Sequence, residues 1–167
     1  MPDPTLRELL YGKGAHTDSV ACVEDVSAAL AGRKIDGYPH SIWQIVGHLN
    51  YWMDYELKRI GGDPRPYPEH AIESWPASDG PASEKDWQDA LVQFGTLLAS
   101  LAELSDCGPE VLERNVPGTH PVHDAKTCSV HAVLWQTAAH NSYHLGQVAM
   151  LRRCLNAWPP RRGSDTW

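Results

Sequence analysis

Residues 130–151 read VHAVLWQTAAHNSYHLGQVAML, and this stretch carries a clear helical pattern. Apolar residues recur in it every three or four positions, which is the spacing of one helix face. That face holds Val130, Val133, Leu134, Thr137, Val148 and Leu151. His140 and His144 fall on the same face, one helical turn apart. The pattern therefore predicts a long helix with two inward-pointing histidines.

The two inward histidines favour a metal site over ordinary core packing. A buried imidazole needs a partner for its polar nitrogens, and two neighbouring imidazoles need two sets of partners side by side. One shared metal ion satisfies both, whereas the alternative is a pair of core histidines that each form a hydrogen bond. His48, in an earlier amphipathic segment, can supply a third ligand. Three protein ligands leave one position open for water or substrate, as in catalytic metal sites.

The ligand type alone does not select the metal, because neutral imidazole suits zinc, nickel, copper and iron. The sequence does exclude other kinds of centre. The chain contains no Glu-x-x-His, which removes the di-iron carboxylate bundles, and no His-Glu-x-x-His, which removes the zincin proteases. It also has no dinucleotide fingerprint, no P-loop and no Gly-x-Ser-x-Gly elbow.

Three further segments are predicted to be helical. The first extends over residues 5–30 and is interrupted at Gly12 and Gly14, so that it forms one helix or two. The second is Ser41–Gly61, where the serine is a suitable N-cap and a Gly-Gly-Asp-Pro run ends the pattern. The third is Ser83–Leu104, which opens on a Ser-Glu-Lys-Asp sequence similar to a capping box.

Together with the fourth helix, these segments predict an all-α fold: an antiparallel four-helix bundle that forms a single domain over the whole chain, residues 1–167. Two long connections, Gly61–Ala82 and Ser105–Lys126, are rich in proline, glycine and polar residues. Five prolines exclude regular helix and strand from the first connection. Its Tyr67, His70 and Trp75 are expected to pack down over the domain.

Other side chains are expected near the three histidines. The candidates are Gln147, Trp52, Tyr55, Trp135 and Tyr143, with His16 at the rim of the pocket. Gln147 shares the face of His144 and can orient a ligand or hydrogen-bond metal-bound water. Asp54 and Glu56 are expected to face away from His48, which leaves the site without an obvious general base. The aromatic side chains can equally be ordinary core residues.

The remaining histidines are weaker candidates. His120 and His123 lie in a Pro/Gly loop and can add a fourth metal ligand, although loop histidines beside a proline are more often exposed. His131 falls on another side of the fourth helix and is expected to be peripheral. His40 and His70 are expected to be surface loop residues.

Composition limits the classes of partner. The chain has 21 acidic and 14 basic residues and a net charge of −7, which argues against nucleic-acid binding. No apolar run approaches the roughly 20 residues of a membrane-spanning helix, and no signal peptide is recognisable, so a cytoplasmic location is expected. The four cysteines are widely scattered and are expected to be free thiols.

The chain resembles the DinB/YfiT-like family of the damage-inducible DinB superfamily. Two motifs carry the resemblance: SIWQIVGHL at residues 41–49, and HNSYHLGQ at residues 140–147, followed by Leu-Arg-Arg at 151–153. One early histidine and a late His-x-x-x-His pair match the family's ligand triad. The resemblance implies a four-helix bundle in which His48, His140 and His144 bind a divalent metal ion, with zinc or nickel expected.

Characterised relatives include S-transferases that use low-molecular-weight thiols. The resemblance therefore implies a metal-dependent, thiol-linked transferase with a small-molecule substrate, and it assigns no residue as a general acid or base. Two alternatives stay open: a metal-dependent hydrolase, and a non-catalytic bundle that binds a metal or a small molecule. A homodimer is compatible with any of them.

Overall fold

The computed structural model describes residues 4–119 and 126–162. Three long helices dominate it: α4 (Ile42–Gly61), α5 (Glu84–Ser105) and α7 (Val130–Cys154). The shorter elements are α1 (Pro4–Leu10), α2 (Ala21–Glu24), α3 (Ala28–Ala31), a 3₁₀ turn (Ala71–Ser74), α6 (Pro109–Leu112), β1 (Asn115–Val116) and β2 (Cys128–Ser129). The two short strands pair antiparallel. The all-α class is confirmed.

Each long helix begins at a serine whose hydroxyl accepts a hydrogen bond from a backbone N–H in the first turn. Ser41 caps α4 with a complete capping box, in which the Ser41 backbone N–H in turn donates a hydrogen bond to Gln44 Oε1. Ser83 and Ser129 cap α5 and α7. Such caps satisfy N–H groups that have no partner inside the helix. The predicted starts of these helices are therefore confirmed by their chemistry.

The first predicted helix is replaced by three short ones, α1 to α3. Gly12 and Gly14 both adopt positive φ angles, +80° and +77°, which end α1 in a turn that other residues rarely form. α1 packs against α5 and α7 and so takes the place of a long first helix in the bundle. The core between these elements is made of aliphatic residues together with Trp87 and Phe94, both fully buried.

The expectation of a purely antiparallel bundle is wrong for α4 and α5. Trp43 packs against Trp87, and Asn50 donates a hydrogen bond to the Ala90 carbonyl, so the two helices run in the same direction. α7 is antiparallel to α4, because His140 lies beside His48 whereas Cys128 lies beside Arg59. A parallel neighbour requires a connection that returns along the length of α4.

The connection between α4 and α5 makes that return. The twenty residues of α4 span about 30 Å. The connection is about as long in residues, and an extended chain rises roughly twice as far per residue as a helix, so it can return along the whole of α4. The connection follows α4 backwards: Tyr67 packs on Tyr55, and Ser78 accepts a hydrogen bond from Trp43 near the start of the helix. Between these two contacts, Pro76 of the connection packs directly against Gly47. A side chain at position 47 would prevent this, because an added Cβ atom would lie 2.3 Å from Pro76 Cγ. The structure therefore lays this segment against one face of α4.

The C-terminal residues that the structure describes pack on the end of α7 and on α2. The Arg153 guanidinium lies 4.6 Å from the centre of the Trp158 ring, and Arg162 Nε lies 2.8 Å from Glu24 Oε1. Residues 163–167 are outside the described range. No helix within the described ranges is both long and apolar enough to cross a membrane.

We predict that Phe94→Ala lowers the free energy of unfolding by about 3–5 kcal/mol, because it empties a fully buried aromatic site in α5. Val92→Ala in the same helix is the matched control: Val92 is 69% exposed, and its truncation is expected to change stability by less than about 0.5 kcal/mol. Urea denaturation of both variants measures the difference. Equal effects would contradict the assignment of the core face of α5.

Candidate metal centre

The three predicted ligands meet between α4 and α7. One ring nitrogen from each of His48, His140 and His144 lies within 4.8 Å of the other two. His48 Nε2 and His140 Nε2 are 3.3 Å apart. His48 and His144 are buried and His140 is partly buried. The antiparallel packing of the two helices therefore brings His48 against a histidine pair whose first member, His140, follows it by 92 residues in the sequence.

Neighbouring polar groups orient two of the three rings. His48 Nδ1 lies 3.3 Å from the Ser74 carbonyl and 3.0 Å from the Ser74 hydroxyl. That hydroxyl donates to the Ala71 carbonyl, so both Ser74 oxygens can accept from Nδ1–H of His48. His144 Nδ1 donates in the same way to Gln147 Oε1, at 2.8 Å. With its proton on Nδ1, each ring keeps a lone pair on Nε2, the nitrogen that a metal ion needs.

The cluster strongly disfavours protonation. Burial, followed by the neighbouring His144 and His140, lowers the pKa of His48 to about 3. Burial and His144 lower the pKa of His140 to about 4, and burial lowers the pKa of His144. Because desolvation penalises the charged imidazole, all three rings are neutral at physiological pH. Neutral imidazole is the form that binds metals.

The donor set fits a divalent cation. The Nε2 atoms of His48 and His140 face each other at 3.3 Å, and two lone pairs at that distance repel unless a proton or a cation lies between them. Neutral His140 can place its single proton there as the Nε2–H tautomer, and a cation can take the place of that proton. The three histidines are therefore compatible with a metal ion and offer it three nitrogen ligands.

An aromatic side chain from the α4–α5 connection covers the cluster. The Trp75 ring stacks on His48, with ring centres 3.8 Å apart and planes 11° from parallel, and on its other side stacks on His40 at 3.7 Å. His40 lies in a loop, as expected, but it is only partly exposed because it is part of this stack. His70 is exposed, as expected, whereas Tyr67 and Trp75 pack down over the domain.

A cavity of about 340 Å³ opens beside the cluster. Its described lining is His48, Trp52, Glu56, Arg59, Tyr67, Gln136, Thr137 and His140. The expectation that Glu56 faces away from His48 is wrong, since both side chains line this cavity. The sequence contains the signal: His48, Trp52 and Glu56 follow one another at intervals of four residues and so share one face of α4.

A buried ion pair forms part of the cavity wall. Arg59 Nη1 lies 3.2 Å from Glu56 Oε2, and the two side chains are 2% and 15% exposed. Arg59 also donates from Nε to the Pro117 carbonyl at 2.9 Å and contacts the Cys128 sulfur at 3.6 Å. These contacts hold the guanidinium in one position. The sequence pattern had indicated only that the helix ends near this residue. The cavity therefore has a metal-compatible cluster and a charge pair in the same wall.

The DinB superfamily model matches residues 13–148, which is most of the chain. The chain belongs to the DinB superfamily. The matched range includes all three clustered histidines and the charge pair. Comparisons with curated proteins and with solved structures returned no match. Family membership and the histidine cluster are therefore established.

The other predicted residues of this DinB domain occupy different positions. Trp52 lines the cavity, and Gln147 contacts the cluster through His144. Tyr55 is buried behind the cavity wall and donates its hydroxyl hydrogen bond to Thr119. Tyr143 is 67% exposed, and its ring lies beside His144 on the outer side of α7.

Two candidates lie away from the cluster. His16 hydrogen-bonds to the Thr17 carbonyl and the Ser142 hydroxyl, and it lines a separate cavity beside Leu145. Trp135 donates a hydrogen bond to His131, which places both residues on the periphery of α7. His120 and His123 lie outside the described residues.

We predict that the metal-free DinB domain loses stability as the pH falls from about 6.5 to about 4. The unfolded chain protonates its histidines near pH 6.5, whereas the folded pKa values of His48 and His140 are about 3 and about 4. The unfolded state therefore binds more protons in this window, and each such histidine contributes a slope of about 1.4 kcal/mol per pH unit.

Urea denaturation of metal-free protein at several pH values measures that slope. His140→Asn removes one titrating ring and is expected to make the slope shallower. His131→Asn, on the same helix but outside the cluster, serves as the control. A stability that is constant between pH 6.5 and 4.5 would show that the rings are not held neutral.

Proposed function

We propose that this chain is a metal-dependent enzyme that transfers a low-molecular-weight thiol to a small-molecule substrate, or catalyses a related nucleophilic transfer. His48, His140 and His144 would bind one divalent ion, zinc or nickel. The observation that supports this proposal is the convergence of three neutral imidazoles, of which His48 and His140 line a cavity large enough for a small molecule. Three protein ligands leave room for a substrate atom in the coordination sphere.

The bound ion would lower the pKa of a thiol and so supply a thiolate nucleophile at neutral pH. The chain's own residues do the remaining work. Ser74 and Gln147 hold the ligand rings in one tautomer. Trp75 covers His48 and limits access of water from that side. The adjoining cavity then binds the molecule that reacts.

A metal-dependent hydrolase is a second candidate, supported by the carboxylate of Glu56 in the cavity wall. A general base must lie within hydrogen-bond reach of the water that it activates. His48 and Glu56 are eight residues apart on one helix, which corresponds to about 12 Å along its axis. This axial separation places Glu56 about two turns from the cluster, so the hydrolase ranks below thiol transfer as a proposal.

A non-catalytic metal site is the third candidate. Structural zinc sites usually have four protein ligands and no open position. Among the described residues, the cluster contains three potential ligands, and no fourth histidine, cysteine or carboxylate joins it. This composition favours an open site.

We predict one divalent ion per chain after purification, detected by elemental analysis. His140→Ala and His144→Ala should each abolish stoichiometric binding, because the two remaining imidazoles form a much weaker site. His131→Ala lies on the same helix outside the cluster and should retain the metal. Retention of a full equivalent by both cluster variants would refute the proposed ligand set.

We predict that cobalt-substituted protein develops a thiolate-to-metal absorption band when 2-mercaptoethanol is added. The band requires a sulfur atom in the open coordination position, so it reports directly on thiol binding. His48→Ala should abolish both cobalt binding and the band. Cobalt-loaded protein that shows no band at millimolar thiol would argue for the hydrolase or the non-catalytic site.

A further inference from the structure

We propose that the exposed side of α7 binds the same side of a second copy of this chain, with the two helices antiparallel about a two-fold axis. Seven exposed residues form this side, which we call the outer face of α7: Ala132, Trp135, Gln136, Ala139, Tyr143, Gly146 and Met150. They recur at the three- and four-residue spacing of one side of a helix. The opposite side of α7 packs into the bundle.

The outer face of α7 is apolar and uncharged. Five large apolar side chains are exposed within the described residues, and three of them, Trp135, Tyr143 and Met150, lie on this face. Residues 130–151 contain no aspartate, glutamate, lysine or arginine. By contrast, α5 exposes charged side chains such as Lys85 and Asp89. A helix that is apolar on both sides is normally buried on both, so the outer face has the composition of an interface.

The absence of charge favours a second copy as the partner. Two copies of this chain each carry a net charge of −7 and repel one another at long range. Like charges that face each other across an interface cost several kcal/mol. The outer face of α7 lets two acidic copies meet without bringing such charges together.

The order of small and large residues along the outer face is self-complementary in an antiparallel pair. A two-fold axis at the level of Asn141 brings each residue opposite one that lies equally far on the other side of position 141. The resulting pairs are Ala132 with Met150, Gln136 with Gly146, and Ala139 with Tyr143. Each pair joins a small residue to a large one, as close helix packing requires. A parallel pair would instead place Tyr143 on Tyr143 and Ala139 on Ala139.

A cavity beside the outer face can receive the remaining aromatic side chain. Its volume is about 320 Å³, and Gly146, Ala149 and Trp158 are part of its lining. Trp135 and Ala149 are two heptads apart and so lie along the same edge of α7. The two-fold axis brings this edge of one copy against the same edge of the other. Trp135, which is 39% exposed, would therefore enter the cavity beside Gly146 of the partner subunit.

The size of the outer face fits a weak dimer. Trp135, Tyr143 and Met150 together leave on the order of 300 Å² exposed in each copy, given their exposed fractions of 39%, 67% and 47%. With the small residues and the cavity lining opposite them, two copies would bury close to the roughly 1,000 Å² that marks the lower limit of specific interfaces. We therefore expect a dissociation constant in the micromolar range.

The dimer would also bring a second subunit to the histidine cluster. Ala139 directly precedes His140, so Tyr143 of the partner subunit, packed on Ala139, would lie at the edge of the cluster. Gln136 lines the cavity beside the cluster and would lie against Gly146 of the partner subunit. Each cavity would therefore have a neighbour from the other copy along its α7 side.

Sedimentation equilibrium of the purified chain tests the association and needs no added metal or thiol. We expect the mass to rise from that of one chain to that of two as the concentration increases through the micromolar range. Ala139→Arg places a cation at the centre of the outer face and should raise the dissociation constant at least about tenfold. Val92→Arg is the matched control, because Val92 is exposed on α5, and it should leave the dissociation constant unchanged.

Two outcomes would overturn the inference: a single-chain mass at every concentration, or an unchanged dissociation constant in Ala139→Arg. Circular dichroism shows whether that variant folds, and Met150→Arg takes its place if it does not. Because the measurement requires no bound metal, its result is independent of the metal and thiol tests of the proposed function.

Chemical cross-linking tests the antiparallel direction. Ala132→Cys and Met150→Cys are each prepared with Cys154→Ser, which removes the exposed native thiol, and a short thiol-reactive cross-linker is added. In the antiparallel pair, two copies of residue 132 lie about 27 Å apart along the helix axis, so neither variant should cross-link to itself. A mixture of the two should cross-link. Cross-linking within either variant alone, above the level of the Cys154→Ser parent, would indicate a parallel pair and would contradict the inference.

Discussion

The burial of three imidazoles between α4 and α7 is the constraint on which the rest of the structure depends. Each ring carries two nitrogens that cannot be left in an apolar core without partners. The fold supplies partners for the outer nitrogens of His48 and His144 through Ser74 and Gln147, and leaves the inner nitrogens facing one another. The low pKa values of the cluster follow from the same burial. A site arranged in this way is held ready for a cation, since its rings are already neutral and oriented.

The α4–α5 connection links that constraint to the topology of the chain. Because α5 runs parallel to α4, the connection must return along α4, and in doing so it lays Ser74 and Trp75 on His48. Gly47 permits this approach at the position before the ligand, where a side chain would collide with Pro76. The segment that sets the helix order therefore also completes and covers the histidine cluster, so its proline-rich sequence has a structural and a chemical role at once.

The features that could be predicted from the sequence are those set by residues close together in the chain. Serine caps and apolar periodicity located the three long helices, and the four-residue spacing of His140 and His144 identified the site. The direction of α5 could not be predicted, since an aperiodic connection carries no signal for its own path. The stacking of His40 and the position of Glu56 were missed for different reasons: the stacking of His40 depends on that path, whereas Glu56 continues the visible spacing of His48 and Trp52.

The cavity places two kinds of chemistry at different distances along one helix. The histidines at one end would act on the reacting atom, whereas Glu56 and Arg59 lie about 12 Å and about 16 Å farther along the axis of α4 than His48 and would contact a remote part of a bound molecule. Contacts to a remote group can position the reactive group and offset the entropy lost on binding, provided that the molecule spans both ends. Under the proposed function, the metal-compatible end would determine the reaction, and the charged end would contact the remote part of the substrate. The same histidine triad can therefore serve different substrates when the residues two turns away differ.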